Sequence, residues 1–197
     1  MQARNIPFRS ALLLMMVLAS VALAGCLTSK EPFLSESEEA RVPDVSGEYT
    51  SGQTGRTVNI ARKSNNLFLV TRGEGEAPEE AIVVPLDVKN AYLLQFYDGE
   101  DYLLTAMVVS ENKITLALFM AGVQEVMGDA MGGDDFRRLA AKALQEQLDA
   151  LMQQHGIVAD SEYELQNRPS TEALKAFYND CLRTPGVLTD SEVLTRK

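Results

Sequence analysis

The chain has 197 residues and a formal net charge of −10 at pH 7, from 28 Asp and Glu against 18 Lys and Arg. A surface this acidic repels phosphate backbones and anionic headgroups, which argues against nucleic acid and against charge-driven membrane binding. The single histidine is too little to build the usual zinc cluster, and G-x-x-x-x-G-K-[ST], G-x-S-x-G and H-E-x-x-H are absent, so no nucleotide or hydrolase signature is present.

The first ten residues carry Arg4 and Arg9 and no acid, and residues 11–24 contain nothing charged. A basic start, a short apolar run and small residues behind it form the layout of a secretory signal; a core helix would instead be amphipathic. Leu23, Ala24, Gly25 and Cys26 then stand in the order of a lipobox. On these residues the chain resembles a bacterial lipoprotein precursor. The resemblance implies cleavage between Gly25 and Cys26, a diacylglycerol on the Cys26 sulphur and usually a further acyl group such as palmitate on the new amino group. Each buried CH₂ contributes about 0.8 kcal/mol, so two or three chains hold firmly. In a Gram-negative lipoprotein, Leu27 in place of Asp after the cysteine points to the periplasmic face of the outer membrane as the destination; a Gram-positive bacterium would display the protein on the outside of its single membrane.

Cleavage leaves 172 residues with 16 basic against 28 acidic side chains, a net charge of −12, and room for one domain with a real core. Residues 26–46 hold the lipidated cysteine and then five acids and two prolines with little apolar periodicity. The expectation is a flexible acidic tether of about 25 Å, a solvated linker on the plain reading, with docking of Phe33 and Leu34 as the alternative. Residues 47–197 form the domain.

Short apolar, β-branched and aromatic runs predict seven strands, at 47–51, 56–62, 67–72, 80–87, 91–97, 102–109 and 113–120. The brief links between them permit only antiparallel neighbours, a meander, with Tyr97 facing Tyr102 across one hairpin. Pro85 calls for a free or bulged side on its strand. Gly47–Tyr49, "GEY", resembles the Gly-x-Trp of lipocalins with Tyr49 in the place of Trp, and carries over no site residue. In residues 102–109 and 113–120 both faces are apolar: Ile114, Leu116, Leu118 and Met120 on one side, Thr115, Ala117 and Phe119 on the other. Either helices cover the second face or the sheet curls into a small barrel, and helices on the sheet are the favoured expectation.

Helical spacing runs from Asp134 to His155, stopped by Gly156, and from about Ser170 to Leu182, with Ser170 or Thr171 as cap and "SEYEL" between them as a short strand. The fold class is therefore α+β: an antiparallel meander of about seven strands, barrel-like in one of its two forms, followed by two packed helices.

The candidate chemistry is thin. Cys181 has no partner once Cys26 is acylated, and its place at i+7 from Leu174 on an apolar stripe makes it a core thiol. His155, before Gly156, complements the helix dipole. Asp129, Asp134 and Asp135 lack the spacing of a calcium loop, and the acid pairs Glu79 with Glu80 and Asp98 with Asp101 arise readily among 28 acids. No metal, cofactor or catalytic residue is expected. Met120, Met127 and Met131 in a glycine-rich loop are the candidate partner or ligand surface. The expectation is a non-enzymatic lipoprotein of the cell envelope that contacts another envelope protein, the alternative being a module that holds an apolar ligand in the sheet.

Overall fold

The computed structural model of the chain describes residues 26–37, 42–73, 75–119 and 135–197. The signal segment with Gly25, residues 38–41, and the loop bearing Met120, Met127, Asp129, Met131 and Asp134 lie outside the described residues. The elements are β1 (Leu27–Ser29), β2 (Gly47–Ser51), β3 (Thr57–Arg62), β4 (Leu67–Thr71), β5 (Glu79–Pro85), β6 (Ala91–Tyr97), β7 (Tyr102–Ser110), β8 (Lys113–Phe119), α1 (Asp135–Gln154), α2 (Thr171–Arg183) and β9 (Leu188–Arg196).

The seven expected strands are β2 to β8, and they pair as an antiparallel meander. Strand β9 returns after both helices and joins β8 on one side and β2 on the other, which closes an eight-stranded up-and-down barrel. Closure leaves the meander no free edge along most of its length. Strand β1 is the ninth: it pairs Leu27 with Leu104 on the same edge of β7 that β8 uses lower down, from Ala106 with Ala117. The two divide one edge between them.

Local chemistry shapes the turns. Asn90 adopts φ 60° between β5 and β6, a conformation that Asn tolerates better than most residues. Asp98 Oδ1 accepts from the backbone N–H of Glu100 and of Asp101, each at 2.9 Å, and so holds the β6–β7 hairpin in which Tyr97 and Tyr102 meet at 5.1 Å. Pro85 pairs with Tyr92 on one side and lies beyond the last β4 partner on the other, so its missing N–H costs nothing.

The pleat separates two cores. On β7, Leu103, Thr105 and Met107 face the barrel interior, while Leu104 and Ala106 face outward into a cluster with Phe119, Phe177 and Tyr178. Both ways of covering the second face thus occur together: the sheet closes, and the helices pack outside it. Helix α2 turns Leu174, Phe177, Tyr178 and Cys181 inward, with Tyr178 Oη donating to the Leu104 carbonyl at 2.7 Å. Its Ser170 cap accepts from the Ala173 N–H at 3.1 Å. Helix α1 buries Leu148 and Met152 and ends as expected at Gly156, φ 66°, where the Ile157 N–H donates back to the Met152 carbonyl at 2.8 Å. "SEYEL" contributes isolated bridges rather than a strand.

The expected tether is corrected as far as Ser37. Strand β1 is clamped on both sides, since Thr28 also exchanges hydrogen bonds with Tyr163 and Leu165. Leu34 is 3% exposed, and the N–H groups of Phe33 and Leu34 both donate to Gln95 Oε1, at 2.7 and 2.9 Å. Phe33 and Leu34 dock, together with Leu27, and their burial on the outer core offsets the entropy of ordering a segment whose composition suggested solvation.

Replacing Gln95 by Leu leaves two N–H groups without their acceptor at a site 2% exposed. The expected loss is about 2–4 kcal/mol in urea unfolding, together with faster proteolysis between residues 30 and 42. Unchanged stability and an intact N-terminal segment would contradict the clamped arrangement.

Candidate functional site

The barrel interior is a cavity of 540 Å³ walled by apolar side chains, among them Val58, Phe68, Val83, Leu94, Met107 and Leu194. Eight strands leave room for packed side chains or for one small ligand, and here the alternation gives every strand an inward row of moderate size. Ala81 is the small one, paired in register with Phe68 on one neighbour and Phe96 on the other.

At one end Val45 lines the cavity, and Tyr49 Oη donates to its carbonyl at 2.9 Å. Arg62 holds the same segment by donating to the carbonyls of Val42 and Pro43, at 3.2 and 2.6 Å, while its guanidinium lies 4.8 Å from the Phe68 ring centre. Arg196 adds a cation over the Tyr49 ring at 5.8 Å and donates to the Ser46 carbonyl. Two guanidiniums on aromatic faces thus fasten the 42–46 segment at this end, satisfying carbonyls that apolar residues alone would leave without donors.

The other end is open. Gln53, Thr54 and Arg56 line the cavity and are exposed, so it reaches solvent at the β2–β3 hairpin. The rim continues through Arg72, which pairs with Glu79 at 2.8 Å and covers the Phe96 ring at 5.1 Å, and through Glu192, which accepts from Ser51 Oγ and the Gly52 N–H, each at 3.0 Å. The site is an apolar well with a polar, charged mouth.

Cys26 is part of the wall. It is 6% exposed and packs with Leu103 and Leu118 against Phe96 inside the barrel. Burial pushes its thiol from the ordinary 9.0 up to about 12, and a hydrogen bond with the Thr105 side chain draws it back in part. This inward placement follows from β1 pairing with β7, a partner the signal-like context of Cys26 does not announce.

The remaining candidates fall to structural roles. Cys181 is fully buried in the outer core, where burial raises its pKa far above the ordinary value. His155 does more than face a helix end: its Nε2 lies 2.9 Å from Asp180 Oδ2, which ties α1 to α2 and leaves no dyad with Cys181 among the described contacts. Glu79 and Glu80 project to opposite faces, paired with Arg72 and Lys63 respectively, and Asp101 pairs with Lys30. Among the described residues no group of three or more His, Cys, Asp or Glu side chains is placed to hold a metal. Met120, Met127 and Met131 lie outside the described residues, and the cavity is built without them. No family model matches the chain, and no curated protein or solved structure matches it either.

Both thiols fold as neutral groups in protein that carries no lipid, so the native state retains protons that the unfolded chain releases above pH 9. Their stabilisation is complete below that pH and is lost as pH rises toward about 12. Between pH 9 and 10 the expected loss is about 1 kcal/mol per thiol, with a smaller share from Tyr49 and Tyr178, which burial also raises. Urea midpoints at the two pH values check this; a loss undiminished after both cysteines are replaced by Ala would contradict it.

Proposed function

We propose that this chain is a lipid-anchored envelope lipoprotein, without catalysis of its own, whose barrel holds an elongated apolar ligand. The observation that carries the reading is the 540 Å³ well inside the barrel, lined mostly by apolar side chains. That volume falls in the range of small-molecule sites, roughly 300–1,000 Å³. A cavity of about 150 Å³ accommodates one benzene, so this one has room for about twenty carbon atoms. The well moves the balance from contact with another envelope protein, favoured by the sequence, to ligand holding. The lipobox at Leu23–Cys26 supports the anchor and the envelope location.

The test uses the full chain with Cys26→Ser, secreted and purified without detergent. Native mass spectrometry should find a co-purified apolar molecule, or the protein should bind N-phenyl-1-naphthylamine with a rise in its fluorescence. Ala81→Phe places a third ring between Phe68 and Phe96 and should weaken that binding roughly tenfold or more, with the circular dichroism spectrum and melting temperature little changed. Binding unaffected by Ala81→Phe would remove the well from the account.

A further inference from the structure

We infer that the occupant of the barrel is the chain's own lipid: one acyl chain of the diacylglycerol on Cys26 lies in the well. The inference rests on the lipoprotein reading above and deepens it by naming the ligand.

Direction comes first. Successive residues of a strand point to opposite faces. Leu27 packs in the outer core and pairs with Leu104, so Cys26 turns inward, beside Leu103 and Leu118. A group attached to its sulphur therefore starts inside the barrel.

Slack comes second. A conventional anchor leaves its domain on a length of free chain, but here the residue after the anchor already belongs to β1. That strand is held by β7 on one side and by Tyr163 and Leu165 on the other, and the following segment is fastened to Gln95 and Asn66. The sulphur cannot leave the wall unless β1 is stripped from both neighbours.

Volume and polarity then decide how much lipid enters. About twenty carbon atoms fill the well, which admits one fatty chain and excludes a second. Below the mouth the wall offers that chain mostly apolar contact, from Val58, Phe68, Val83, Leu94, Met107 and Leu194, and Val45 lines the far end, in the segment that Arg62 fastens. The other chain leaves past the rim at Arg72 and Phe96 to reach the bilayer. A ligand tethered to the wall needs no encounter from solution, and its effective concentration excludes free competitors.

Photocrosslinking in native membranes tests this. The lipidated full chain carries p-benzoylphenylalanine in place of Phe68, beside Arg62, or in place of Leu94, in case either position tolerates the change poorly. On irradiation the expected product is an internal bond between that position and the acyl chain on Cys26, read by mass spectrometry as an N-terminal lipopeptide joined to the β4 or β6 peptide. The product should disappear in Cys26→Ser and fall at least roughly tenfold with Ala81→Phe. Bonds to membrane phospholipid alone would overturn the inference and keep the ligand-holding reading, because the well then takes a foreign chain. Absence of any lipid adduct, with naphthylamine still bound by Cys26→Ser protein, would also overturn it alone. If neither adduct nor probe binding is found, both readings fall.

Discussion

The strands from Ala91 to Phe119 are apolar on both faces, and a sheet of that kind is stable only when both are withdrawn from water. This one requirement shapes the molecule. The inner rows are withdrawn by curling the meander into a barrel, and the outer rows by laying α1, α2 and the 157–165 segment over β6, β7 and β8. On the far side, where β3 carries Asn59 and Ala61 outward and β5 carries Glu80, the barrel faces solvent directly. The asymmetry leaves one wall of the well backed by a second layer and the opposite wall only one strand thick.

The second layer also governs the N-terminal segment. Phe119 gathers Tyr163, Phe177 and Tyr178 around it at ring separations of 5.7 to 5.9 Å, and β1 fits along the edge of that aromatic cluster. Cys26, which resembles the acylated cysteine of a lipobox in the sequence, is thus built into the wall of the fold. A thiol at 6% exposure, held neutral by burial, is out of reach of a modifying enzyme. On the proposed lipidation, attachment belongs before β1 docks, and the domain folds around a cysteine that is already modified.

Much of this architecture was legible residue by residue. The links "SNN", "KN" and "EN" mark tight turns, so β2 to β8 could be read from local chemistry, as could the Tyr97–Tyr102 pair, the free side of Pro85, the Ser170 cap and the Gly156 stop. What stayed hidden depends on distant partners. Strand β1 is three residues with no alternation to detect, and β9 mixes Asp190, Ser191 and Glu192 among its apolar positions, with a bulge opposite Leu116 and Ala117. Neither reads as a strand until β7, β8 and β2 are in place to pair with it. The well was half legible: the two-faced strands announced it, but closure needed β9, and the direction of Cys26 needed β1. The methionine loop drew notice through composition, whereas the wall is made of ordinary alternating residues that composition does not single out.

Because β9 is the keystone between β2 and β8, the barrel joins groups 150 positions apart in the chain, as in the bond from Arg196 to Ser46. Pairings of such long range are slow to form, since the intervening chain loses its entropy before the contact repays it. During that interval the meander exists as an open, curved sheet with β2 and β8 as bare edges and its inner apolar rows uncovered, the state most exposed to aggregation. A nascent domain emerging N-terminus first passes through this open sheet until Leu188–Arg196 arrives. The final strand thus sets the folding clock, and the vulnerability of the protein lies in the time spent waiting for it.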